Sequence, residues 1–527
     1  MQKSLLLTWT WAALAAHAVL AAPAPVAPKP TPQATADRQP ATLYQEAIKA
    51  EEGLALTRAE SLYQELVRRC DPEQQWRMRR DARQGLRRVE NLRAEFALTE
   101  AELKKKLAQS YRAYKPEEFP EWERRGWILA RVVDGKKGYS ILNPTNLRFF
   151  DTQLMARNEA AAKTYRQFAQ IFLDESALLD RMRAGSTVPR RHVAPVRYVY
   201  SVKAVVRQAD LPPGKRVRAW FPCPPPAPAI QNIRVLSVAP AGALVHYPDV
   251  EADVGIAYLE VDRPEKEDLA IEVKVGFDAY HTDFAIDPKD VPPYDEQSAF
   301  YRRFTRSERQ MALTGPLVQL ARSVVGDETN PYKKARKLYD WVCDNVKYNF
   351  VWRWRDATFH HGCASEEVRQ RRIGDCVIQS VFYAALCRSV GVPARVLNGP
   401  IFPPGMKNDH VWAEVYLPNY GWVPVDVTYS EVASMVPGLT DAERRRIRDF
   451  FFGRLDRYRF CTERNGLAQE LIPVKRSPRR HVTMFVRPEL ECGGQDVQKS
   501  KLSWECQPGT SDTKAPGALL RSGDKRD

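Results

Sequence analysis

Apolar positions recur at helical spacing through the first third of the chain. Leu62, Tyr63, Leu66 and Val67 form one stripe, and Leu86, Val89 and Leu92 form another, with the helix-start pair Asp71-Pro72 between them. No second copy of this helix pair follows, so plain helical packing is expected rather than a repeat array. Residues 127–133 read as a strand, Asp134-Gly135 as a turn, 139–150 as returning strands and 152–182 as a further helix. Residues 41–192 are thus expected to be mainly helical. The pattern then shifts to short alternating segments at 197–206, 217–221, 232–238, 254–261 and 269–277, separated by turns rich in Pro, Gly and Asp. That spacing predicts an antiparallel β-sandwich over 196–283. The proline-rich run at 222–228 cannot continue a central strand, because proline lacks the amide donor.

A connector at 284–297 leads to helices near 298–325 and 330–346. Beyond them, Val377, Ile378, Val381, Phe382, Ala385, Leu386 and Val390 mark a helix with a buried face, stopped by Gly391 and Pro393. Residues 409–417 alternate: His410, Trp412, Glu414 and Tyr416 on one face, Val411, Ala413, Val415 and Leu417 on the other. A turn at 418–421 leads to a second strand expected over 422–428. His410 and Asp426 share a face of this hairpin only if the numbers of paired residues sum to an even value. Pairing Leu417 with Gly421 meets that condition, and a slip of one residue would point Asp426 away.

Three residues in this stretch have chemistry in common. Cys376 opens a helix, where outward N–H groups and the helix dipole favour a thiolate and offer donors to an oxyanion. His410 supplies a base, and Asp426 a carboxylate to orient it. Cys387, inside the helix, reads as core, and Asp375 as the helix cap. Trp352, Trp354 and Trp412 are candidates to line an acyl-donor groove, with an aromatic cluster covering the core as the competing reading. Glu414 reads as a solvent-facing charge.

The motifs Gly374-Asp375-Cys376, Ala385-Leu386-Cys387-Arg388, Gly391-Val392-Pro393-Ala394-Arg395-Val396, His410-Val411-Trp412-Ala413-Glu414-Val415 and Gly421 through Thr428 together resemble the core of the transglutaminase-like superfamily. Phe451-Phe452-Gly453-Arg454-Leu455-Asp456 is similar to the closing part of bacterial members, and Trp220-Phe221-Pro222-Cys223-Pro224 to the sandwich that often precedes the core. The resemblance covers about 196–490. It implies a multidomain α+β protein: a papain-like core of a helix packed on an antiparallel sheet over 297–492, preceded by the sandwich and the helical region. It also implies that Cys376, His410 and Asp426 form a catalytic triad acting through a thioester on peptide or protein amide bonds. Hydrolysis is expected over cross-linking. The competing class is a non-catalytic cell-envelope scaffold or binding protein that keeps the fold.

Composition and the chain ends set the context. Residues 1–22 read as a signal peptide: Lys3, an apolar run, then Ala21-Ala22. Residues 23–40 read as a Pro/Ala-rich linker, and 493–527 as a disordered tail. An exported protein, periplasmic or extracellular, follows, with no transmembrane segment after cleavage. The net charge of +15 is spread along the chain without a nucleic-acid module, so an anionic cell-envelope polymer is the better match for it than nucleic acid. Nine cysteines without a CxxC pair give no zinc site, and no Asp-x-Asp-x-Asp-Gly loop suggests calcium. Neither metal nor cofactor is expected.

Overall fold

The computed structural model describes residues 39–185, 191–249, 252–351, 356–357, 360 and 362–509. The expected signal peptide, all but the last two residues of the expected linker, and both Trp352 and Trp354 lie outside the described residues.

Two five-stranded sheets face each other. In one, Leu269–Asp283 is flanked by His192–Val206 on one side and by Ile230–Ala239 and Arg454–Leu455 on the other, and Lys501–Pro508 closes the sheet beyond His192–Val206. The other runs Gln495–Asp496, Glu489–Cys492, Arg216–Pro222, Ile256–Asp262, Leu244–His246. Alternation along His192–Val206 sends Tyr200, Val202 and Ala204 inward, where they meet Val217, Ala219, Phe221 and Leu259 of the facing sheet.

Two sequence expectations change here. The sandwich is not confined to 196–283, because Glu489–Cys492 pairs with Arg216–Pro222 and Lys501–Pro508 pairs with His192–Val206. The core region between 297 and 488 is therefore inserted between strands of one sandwich, to which it contributes the short strand Arg454–Leu455. The chain beyond 492 is also not wholly disordered: Lys501–Pro508 is an ordered edge strand that buries Trp504.

Within the insertion, the three-stranded antiparallel sheet of Ala394–Ile401, Asn408–Leu417 and Gly421–Val425 packs on the helix Cys376–Ser389. Val411, Ala413 and Val415 form one side of this core, and Val377, Ile378, Val381 and Ala384 the other. Every residue from Cys376 to Arg388 is buried, because Pro331–Asn345 and Gly315–Val325 cover the helix from other directions.

The first helices, Pro40–Glu52, Leu56–Arg69 and Trp76–Glu95, join this same core through Leu43, Tyr63, Leu66 and Val89. A buried Arg88–Glu51 pair, at 2.8 Å and shared with the Tyr63 hydroxyl, ties the three together. Residues 98–154 enclose a separate small core of Leu103, Leu107, Phe119 and Trp122. The expected hairpin is Ala130–Val133 with Lys136–Tyr139, but the region read as returning strands forms the short helices Asn143–Asn146 and Leu147–Phe149. Among the described residues, no helix is long and apolar enough to cross a membrane.

Candidate functional site

The helix that begins at Cys376 starts there because Asp375 caps it: one carboxylate oxygen accepts from the amides of Val377 at 3.1 Å and Ile378 at 3.3 Å. Those two amides are therefore engaged by a side chain, which corrects the expectation that they stand ready for an oxyanion. Gly374, just before the cap, sits in a parallel pairing with Tyr348. Its role is steric, since a Cβ there would stand 2.6 Å from the Ile378 side chain.

One turn into the helix, two side chains tie it to the elements that carry the other candidates. The Ser380 hydroxyl donates to the Val411 carbonyl at 3.1 Å, beside His410. The Thr428 hydroxyl donates to the Gln379 side-chain oxygen at 2.8 Å, two residues past Asp426. The other end of the Gln379 amide is a buried donor without a hydrogen-bond partner.

The hairpin has the register that the alternation required. Leu417 pairs with Gly421, and Ala413 with Val425. The second strand stops at Val425, short of the expected 428, because Asp426 leaves the ladder to cap the helix Val427–Met435. Its Oδ1 accepts from the Tyr429 amide at 3.2 Å. Its Oδ2 faces Nε2 of His410 at 2.8 Å. A single carboxylate thus fixes a helix start and an imidazole. With Nε2 bound to the carboxylate, the other ring nitrogen, Nδ1, is left for proton exchange.

The ring of Tyr429 stacks on His410 with centroids 4.3 Å apart and planes 13° from parallel. Burial pushes the Tyr429 hydroxyl well above its ordinary range, and the charge of a Cys376 thiolate adds to that effect. Cys376 is also among the groups acting on Tyr348, whose hydroxyl burial likewise raises. His410 and Asp426 thus both meet Tyr429, the one through its ring and the other through its amide. All three candidates are enclosed: Cys376 is 7% exposed, His410 3% and Asp426 1%.

Sequence reading missed two charged residues in this cluster. Arg459 donates through Nη1 to the same Oδ2 of Asp426 at 2.9 Å, and through its other nitrogens to Asp456. Burial would raise the Asp426 carboxyl, but the charge and hydrogen bonds of His410 and Arg459 hold it down at about 2. Arg459 arrives from the segment after Arg454–Leu455, which crosses the free edge of Ala394–Ile401. The crossing needs Gly399, the partner of His410 in the sheet, because a Cβ there would stand 1.8 Å from the Phe460 carbonyl oxygen. The closing motif around Asp456 was the signal that could have located this pair.

Trp412 does not line an open groove. It is buried with Leu397 and Leu455, its ring 5.2 Å from the Arg459 guanidinium carbon, and its indole N–H has no partner. This corrects its reading as a groove residue. Glu414 is not a free solvent charge either, since Arg395 holds it at 2.7 Å. Cys387 is core, its thiol pushed by burial up to about 12. No disulfide joins any of the nine cysteines. Among the described residues, no His, Cys, Asp and Glu cluster could hold a metal ion.

Comparison with known proteins finds similarity over part of the chain. Residues 318–427 match the sequence model described as the transglutaminase-like superfamily, a span that contains Cys376, His410 and Asp426. An uncharacterized protein of Haemophilus influenzae is 26% identical over 194 residues, which are 31% of this chain and 50% of that protein. The uncharacterized protein YebA of Bacillus subtilis is 27% identical over 146 residues, 24% of this chain and 19% of its own length. The chain thus spans half or less of the length of these relatives. A crystal structure of a proposed cysteine protease from Cytophaga hutchinsonii superposes with a TM-score of 0.35 at 14% identity, covering 62% of this chain and 97% of the other. One of a proposed protease from Parabacteroides distasonis gives 0.18 at 9%, covering 44% and 67%.

Proposed function

With residues 318–427 a domain of the transglutaminase-like superfamily, we propose that the protein is an exported thiol enzyme that transfers acyl groups from peptide or protein amides through Cys376, His410 and Asp426. The observation that carries the reading is the 2.8 Å contact of His410 Nε2 with Asp426 Oδ2, on a strand that the helix opened by Cys376 holds through Ser380 and the Val411 carbonyl.

In the cycle this supports, the Cys376 thiol gives its proton to Nδ1 of His410, and the thiolate adds to the amide carbonyl carbon. The tetrahedral intermediate collapses as the imidazolium returns the proton to the leaving amine, which departs and leaves a thioester on Cys376. Water, deprotonated by the same nitrogen, then adds to the thioester and releases the acid and the thiol. An amine in place of water would give transfer. Hydrolysis is our preferred outcome, with peptides or proteins of the cell envelope as substrates. The Asp426 carboxylate stabilises the imidazolium and holds its tautomer throughout.

Two measurements test the reading. Thiol alkylation near neutral pH, followed by adduct mapping, should label Cys376 selectively, and His410→Ala should abolish that preference. Burial raises the thiols of Cys70, Cys223, Cys343, Cys387, Cys461, Cys492 and Cys506, so they compete poorly. Wild type and Cys376→Ala are then compared on a mixed peptide library, scored for both hydrolysis and amine incorporation. An absence of preferential labelling, with equal behaviour of the two proteins, would leave a non-catalytic envelope scaffold.

A further inference from the structure

Arg459 presents a difficulty for the Cys-His-Asp reading. A guanidinium on the same oxygen that orients the imidazole competes for that oxygen, and its positive charge opposes an imidazolium nearby. If Arg459 and Asp426 were the only charges beside His410, they would cancel. The imidazole would then gain little from its carboxylate.

Asp456 changes that sum. It is buried, as are Arg459, Asp426 and His410. It accepts from Arg459 Nε at 3.3 Å and, more closely, from Nη2. Two carboxylates and one guanidinium leave one net negative charge in an enclosed space. One added proton on His410 neutralises the cluster. Buried charge is costly unless balanced, so with Asp456 present Asp426 keeps a counter-charge to offer the imidazole.

The other groups around His410 do not supply this balance. Tyr429 stacks on the ring and is held neutral by burial. Tyr348, on the strand Lys347–Tyr348, is likewise kept neutral by burial. The sheet partner of His410 is Gly399, which carries no charge. Asp409, next on the same strand, is engaged by Arg487 at 2.6 Å. Asp375 is occupied in capping the helix of Cys376.

We propose that Asp456 and Arg459 are positioning residues that set the charge of the Asp426–His410 couple, Asp456 offsetting Arg459 so that Asp426 stays available to the imidazole. The proposal rests on the thiol-enzyme reading above. It assigns opposite signs to two neighbouring residues, which a merely structural pair would not have.

The test is the pH dependence of Cys376 alkylation by iodoacetamide in the full-length protein. Asp456→Asn leaves Arg459 and Asp426 to cancel. The midpoint of the profile should move up by about one pH unit or more, so the rate on its rising limb falls about tenfold. Arg459→Gln leaves two carboxylates and should move the midpoint down. The double variant restores one net negative charge and should return the midpoint toward wild type. Melting temperatures establish that each variant is folded. If Asp456→Asn does not fold, the sign of the Arg459→Gln shift decides by itself. Profiles that superimpose, or singles that shift in the same direction with the double shifted further, would overturn the proposal. Failure of wild type to show selective Cys376 labelling at any pH would instead remove the thiol-enzyme reading beneath it.

Discussion

Nε2 of His410 and Oδ2 of Asp426 stand 2.8 Å apart across sixteen positions of sequence. The contact exists because Leu417 pairs with Gly421, and because Asp426 steps out of its strand to cap a helix. The same carboxylate therefore bears on stability and on chemistry. Asp426→Asn should keep the cap but lose the imidazole's counter-charge. Its folded carboxyl lies at about 2 against an ordinary 3.8, so its contribution is present above the ordinary value and lost as pH falls through about 2. Urea titrations should show wild type more stable than Asp426→Asn by about 2 kcal/mol near neutral pH, with the gap closing toward pH 2. Turnover on any substrate found should fall by ~100-fold or more.

Gly399→Ala should act at a distance. Its methyl group would displace the Phe460 carbonyl and, with it, the path that delivers Arg459 to Asp426. The expected result is a loss of about 1–3 kcal/mol by chemical denaturation, of the order seen for overpacked cores, together with weakened Cys376 labelling. Wild-type stability and labelling in this variant would mean that the crossing adapts freely.

Glu431 predicts a pH effect of the opposite sign. It is enclosed, accepts one hydrogen bond from the Tyr348 amide at 3.0 Å, and has an oxygen without a hydrogen-bond partner. Burial pushes its carboxyl up to about 8, a rise that the Lys347 ammonium at 3.7 Å opposes without reversing. A folded value above the ordinary one gives stability present below pH 4.5 and lost as pH rises through about 8. Thermal melts at pH 6 and pH 9 should show wild type losing stability. Glu431→Gln, neutral throughout, should lose less, with a difference of up to a few kcal/mol.

Truncation after residue 500 removes the strand Lys501–Pro508 and uncovers both Tyr200 and the edge of His192–Val206. The shortened protein should melt lower and aggregate, measured by light scattering during a thermal ramp, because a long exposed strand edge templates pairing with other chains. A truncated protein with unchanged melting and no scattering would show that the strand contributes little.

Much of the site could be read locally. The helix at Cys376 announces itself by a continuous apolar run with a cap before it, and the hairpin register follows from alternation alone. Asp456 and Arg459 could not be read that way. Each is a charged residue in a segment without periodicity, and Arg459 gains its meaning from Asp426, thirty-three positions away. The strand 501–508 was hidden for a related reason: it is an edge strand whose only buried residue is Trp504, so its composition reads as solvent-exposed tail. The end of the second hairpin strand was misjudged because Asp426 faced two options, and its capping preference prevailed over the alternating pattern. Trp412 was a candidate for a groove because the residues that enclose it, Leu397 and Leu455, come from other parts of the chain.

The insertion of residues 297–488 between strands of one sandwich orders events during synthesis. When the ribosome has made His192–Val206 and Leu269–Asp283, the sheet they form still lacks its outer strand, which lies about 220 residues further along. Closure across so long an intervening stretch is slow. Until it happens, the nascent chain carries an open edge that a chaperone, or another nascent chain, can occupy. Among the described residues, the last strand to be translated thus seals a unit begun some three hundred residues earlier.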